Sequence, residues 1–230
     1  MRGGPAMIGA RLLALEWRVV RGAETALPLV ALVAITLLHR LLPASGPESW
    51  RSLFVETCQS YVPIAVALAV VPALLRDQEH GRLEAAIALP ARGVASARLV
   101  LLLGGSALLT VLWLALLAAF WGPVPFGAGL FAALGPTLLL SGLGLGAAAS
   151  AGRSTVGYLV VIAWPLGDLI LQLLGAFAAI HPLQWLDVFA YRWPIAAPAW
   201  QAVAAAQALA GALLLAIAVA STRRLWRRLL

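Results

Sequence analysis

The chain contains no lysine, a single cysteine and little charge of either sign, and each shortage removes a class of protein. All 16 basic residues are arginine. A nucleotide-binding P-loop needs its lysine on the phosphates, so none of that kind exists in this chain. Any ATP chemistry would therefore belong to another subunit. Cys58 has no second cysteine to pair with, and His39, His80 and His181 lie far apart near the ends of apolar stretches. Neither an internal disulfide nor a metal site is expected, because metal sites need clustered ligands. The remaining carboxylates and hydroxyls are scattered, so no catalytic centre and no resident cofactor are expected either.

What the chain has in abundance is apolar surface. Of its 230 residues, 63% are hydrophobic and 11% charged, with a mean hydropathy of +0.96. Soluble domains are about half apolar and a quarter charged, so the soluble and disordered classes fall away. A membrane-spanning helix needs ~20 mostly apolar residues. Six stretches qualify, at about 25–42, 58–75, 98–121, 126–150, 155–180 and 199–220. The expected fold is all-α: a polytopic membrane protein of six transmembrane helices, preceded by an amphipathic interfacial helix within 1–24 and followed by a basic tail, 221–230. Pro63 and Pro72 predict a kink in the second span. The connections on either side of the fourth span are very short, which predicts antiparallel neighbours.

The arginines orient these spans. With a cytoplasmic amino terminus, the inner segments hold Arg2, Arg11, Arg18, Arg21, Arg76, Arg82, Arg92, Arg98, Arg153, Arg223, Arg224, Arg227 and Arg228, thirteen in all. Only Arg40, Arg51 and Arg192 fall outside. Positive residues concentrate on the cytoplasmic side, so both termini are expected there. A pI near 11.2 would also suit nucleic acid, but these arginines sit in short strips between apolar runs, and no nucleic-acid partner is expected. The segment before the first span carries Glu16 and Glu24 and is too long for a signal peptide. Within it Ile8, Leu12, Leu15 and Val19 recur at helical spacing opposite Arg11, Arg18 and Arg21, the pattern of a helix lying in the bilayer surface.

The segment between the second and third spans, 76–97, is the most charge-dense. It holds Arg76, Asp77, Glu79, Arg82 and Glu84 within nine residues. After Gly81, the residues Leu83, Ala86 and Ile87 form one apolar side of a short helix that Pro90 ends. Such a helix either spaces two spans or seats its apolar side in a partner's groove.

Glu79-His-Gly81-Arg82-Leu83-Glu84 followed by Leu89-Pro90 resembles the signature of the ABC-2 type permeases, membrane subunits of bacterial ATP-binding-cassette transporters, mostly exporters. The six-span layout, the amphipathic first helix, the basic tail and the segment around His181 are similar too. The resemblance implies that this loop is a coupling helix docked on a separate nucleotide-binding ATPase subunit, with Glu79, Gly81 and Glu84 at the motif positions. Arg82, Leu83 and Pro90 complete the expected contact. It further implies a bacterial inner-membrane location and a second permease copy or sister subunit beside this one. Leu15-Glu16-Trp17-Arg18 also resembles the haem-exporter B subunits of cytochrome c maturation, although the four-arginine tail departs from that subgroup.

In the fifth span Asp168 and Gln172 share a face one turn apart. A carboxylate within a span is costly unless paired, hydrated or protonated. It either lines a translocation path, as in an ion-coupled carrier, or bonds Gln172 or a backbone group near Pro165. A carrier of this kind would usually show an internal repeat, and none is evident. Gly142 and Gly146 form a small-xxx-small pair suited to internal helix packing. An interior almost free of fixed charge suits lipid-like or amphipathic cargo better than small ions.

Overall fold

A computed structural model describes residues 13–14, 16–17, 23–41, 57–75, 91–121, 126–176, 185–188 and 197–229. Among these residues the structure is helical, with turns and no strand. Six α-helices follow in order: α1 Ala23–Leu41, α2 Val62–Val70, α3 Ala91–Trp121, α4 Phe126–Ala151, α5 Ser154–Leu173 and α6 Ala197–Leu229. Helices are what a lipid environment demands, because each backbone N–H and C=O must find its partner inside the segment.

Five stretches are long and apolar enough to cross a membrane: Thr57–Leu74, Arg92–Phe120, Gly129–Ala151, Ser154–Leu173 and Trp200–Thr222. The first helix has a shorter apolar stretch, Ala26–Leu37. By architecture the chain is therefore a multi-pass membrane protein. The outward faces agree. Leu108, Leu112, Leu116 and Phe120 on α3 and Leu209, Leu213 and Ile217 on α6 are large, apolar and exposed at every fourth residue. Soluble proteins rarely display apolar stripes of that extent, whereas lipid-facing helices require them.

The span containing α2 forms the centre, with 83% of its residues buried against 22% in α5. Its prolines sit at changes of helical pitch. A π-helical turn, Thr57–Tyr61, runs directly into α2, and Pro63 stands in the first turn of α2. Pro72 opens a 3₁₀ turn, Val71–Leu74, that closes the span with Leu75 N–H on the Pro72 carbonyl at 3.0 Å. The expected kink thus takes the form of two changes of helical pitch.

Helices α4 and α5 reverse direction through two residues. Gly152 has φ 66°, a conformation that suits glycine, and Arg153 N–H returns to the Ala148 carbonyl at 3.2 Å. This six-to-one bond is the Schellman closure of a helix end. Arg153 itself is extended, at φ −144° and ψ 125°, and starts α5.

Glycines set the closest helix approach, between α4 and α6. A Cβ at Gly135 would stand 2.6 Å from the Ala204 carbonyl oxygen, and one at Gly142 would stand 2.8 Å from that of Gly211. Gly144 turns instead to Val161 of α5 and Val71. Gly146 faces open space, with nothing within 4 Å of its Cβ direction. The packing residues on α4 are therefore Gly135 and Gly142, seven apart, and the Gly142/Gly146 pair is not the interface unit. α5 packs on α4, as short connections predict. α3 packs instead mainly on α1, α2 and α6 and meets α4 at few points.

Candidate functional site

Two polar clusters interrupt the apolar bundle, one at each end. The first is built on Arg98, which the sequence reading placed at the start of the third span. The helix begins earlier, at Ala91, so Arg98 lies two turns inside α3, only 2% exposed. Its Nε donates to Glu16 Oε2 at 2.6 Å, and its Nη1 donates to the Ala73 carbonyl at 2.9 Å. Glu16 is 1% exposed. Its neighbour Trp17 is half exposed, as an interfacial ring would be.

The carbonyl of Ala73 lies within the 3₁₀ turn, so a helical tightening at the end of one span supplies an acceptor to the next. One guanidinium thus joins three segments: the amino-terminal helical residues, the end of the second span and the start of the third. Burying a charge is tolerable only when a counter-charge and hydrogen bonds replace water. Arg98 has both. Sequence alone does not disclose this pair, because Arg98 doubles as an orientation signal and Glu16 stands in a segment with no pattern that points to α3. A glutamate bordering the Leu12/Leu15/Val19 stripe was the available clue.

The second cluster stands where α5 ends. α5 stops at Leu173, and Gly175 turns the chain at φ 69°, so Asp168 is five residues from the helix end. Trp164, Asp168 and Gln172 lie four apart on one face, and all three hold the segment 185–188. Trp164 Nε1 donates to the Leu186 carbonyl at 3.3 Å, and Asp168 Oδ2 accepts the Val188 amide at 2.8 Å. Gln172 Nε2 donates to both oxygens of Asp187 at 3.2 Å. From α6, Gln207 Nε2 donates to the Asp187 carbonyl at 2.7 Å. Asp168 and Asp187 are both buried. The carboxylate and amide expected to act together do meet the same segment, but Gln172 bonds Asp187. Trp164, Asp187 and Gln207 were not foreseen, although the 164/168/172 spacing was legible.

This arrangement does mechanical work. It pins an irregular segment against two helices by satisfying backbone groups that lipid would leave unpaired. Among the described residues no group of histidine, cysteine or carboxylate side chains could hold a metal. The residues expected to engage an ATPase, Glu79, Gly81, Arg82, Leu83, Glu84 and Pro90, lie outside the described residues.

No family model, curated protein or solved structure matches the chain.

Proposed function

We propose that the chain is the membrane permease subunit of an ABC-2 type exporter and is driven by an ATPase on a separate chain. The observation that carries this reading is the mounting of the segment 76–90. Its two flanks, the Ala73 turn and the first turns of α3, are tied together through Arg98 and tied again to the amino-terminal residues through Glu16. A loop that receives force needs anchors that move as one body, and a buried ion pair spanning three segments provides them. The motif Glu79-x-Gly81-x-x-Glu84 with Pro90 supplies the docking surface. Absence of lysine leaves the nucleotide to the partner.

In this reading α1 completes six spans, both termini are cytoplasmic, and two permease copies or sisters share a central route in the bacterial inner membrane. The haem-exporter-B subgroup gains no further support, and a carrier working through Asp168 loses appeal because that carboxylate holds the Val188 amide.

The test is co-purification from native membranes. A nucleotide-binding subunit should accompany the permease, and Glu84→Arg should abolish both that association and cargo-stimulated ATP hydrolysis. Retention of both by the variant overturns the coupling assignment.

A further inference from the structure

The sparse meeting of α3 and α4 leaves a cavity of about 440 Å³ between them and α2. Val62 and Val66 form its inner wall, and its other walls come from the 103–110 stretch of α3 and the 127–138 stretch of α4. Among the described residues, Ser106, Thr110 and Thr137 contribute the only hydroxyl side chains and no charged residue lines it. The Thr110 hydroxyl is occupied by the Ser106 carbonyl at 2.9 Å. Ligand pockets run from about 300 to 1,000 Å³, and a cavity of ~150 Å³ already takes a benzene. This one holds a substantial apolar group.

Its shape and its exit identify the occupant. From Gly127 to Leu138 the wall follows twelve residues of helix, about 17 Å over the eleven steps at 1.5 Å each, close to half of a ~30 Å hydrocarbon core. That is the depth of one leaflet. Ala107, Gly127 and Leu134 line the cavity and are exposed, so it opens sideways between α3 and α4. The space is long, apolar, one leaflet deep and open to the bilayer. Left empty, it would forfeit the dispersion contacts of every side chain around it.

We infer that this cavity is a lipid site that takes one acyl chain of a bilayer phospholipid, entering between α3 and α4 from the leaflet on the side of the α3–α4 connection. The site requires no ATPase partner and stands apart from the transport reading.

The experiment uses the full-length protein in phosphatidylcholine nanodiscs containing a phospholipid with a diazirine on one acyl chain. After irradiation, labelled positions are mapped by peptide mass spectrometry. Val62 and Val66 are 3% and 1% exposed, so a chain lying on the outer surface cannot reach them. Labelling of these two valines is expected. Ala107→Phe, placed at the open mouth, should reduce it about tenfold, whereas Leu112→Phe on the outer stripe should leave it unchanged. Labelling confined to Leu108, Leu112 and Leu116 in the wild-type protein overturns the inference without reference to any variant, as does equal labelling of Val62 and Val66 in Ala107→Phe.

Discussion

Arg98 and Glu16, 82 positions apart in the chain, meet at 2.6 Å with both side chains sealed from solvent. The pair couples the amino-terminal segment to α3, and the Ala73 carbonyl brings in the end of the second span. Burial makes the pair unequal to its parts. Coulomb attraction is strong where water is excluded, but so is the penalty for either charge alone.

Removing one partner should therefore cost more than replacing both. Glu16→Ala is expected to destabilise the protein by about 3–5 kcal/mol. Glu16→Leu combined with Arg98→Met should recover much of that loss, because the double variant buries no charge. Thermal unfolding in a fixed detergent of the wild type, Glu16→Leu, Arg98→Met and the double variant closes the cycle. Additive losses would show that the ion pair contributes no coupling.

Five of the six expected spans were legible because hydropathy and length report a helix's surroundings directly, whichever neighbour it finds. Partner-dependent features were not. Gly135, Gly142 and Gly146 look alike along one helix, and only the position of α6 decides that the first two are contact points and the third is open. Arg98 was misread for a related reason. Its charge marks the cytoplasmic side in any topology count, but the helix starts at Ala91 and carries it into protein. Asp168 was noticed because a carboxylate in a span is costly. Its partner, the Val188 amide, lies in a segment whose return onto α5 has no periodic signature.

The glycine assignment makes opposite predictions for two neighbours. Gly142→Leu would drive its side chain into Gly211 and Leu214, and overpacking of this kind costs about 1–3 kcal/mol or more. Gly146→Ala meets open space and should be neutral or mildly stabilising, since alanine is the better helix former. Comparing the yield of monodisperse protein and its unfolding temperature for the two variants checks the face of α4 that contacts α6. Equal damage from both would place the contact elsewhere.

Asp168 distinguishes a pin from a proton relay. Asp168→Asn keeps an oxygen that accepts the Val188 amide, so the segment 185–188 should stay ordered and the transport proposed for this chain should persist. Asp168→Leu removes the acceptor and leaves a buried N–H unpaired, a loss of about 1–3 kcal/mol. Hydrogen exchange at Val188 reports the difference: protected in the wild type and the asparagine variant, fast in the leucine variant. Loss of transport in the asparagine variant with Val188 still protected would restore a direct role for the carboxylate in cargo or proton movement.

The single cysteine offers a check on which span is central. Cys58 is wholly buried in the π-helical turn ahead of α2, so a thiol reagent reaches it only when that turn separates from the bundle. Protection then measures the free energy of local opening. In native protein Cys58 is expected to resist N-ethylmaleimide, and after denaturation one thiol per chain should react. A reference is needed because low reactivity alone could come from detergent shielding. Ser150, exposed near the end of α4, provides it: Ser150→Cys in a Cys58→Ala background should react promptly without denaturant. The same two measurements in the presence of Glu16→Ala ask whether loosening the Arg98 junction reaches the opposite end of the span. A cooperative bundle would raise Cys58 reactivity in step with the loss of global stability. Native Cys58 reacting as fast as the cysteine at position 150 would mean that the turn is not packed inside, and the central place of the second span would fall with it.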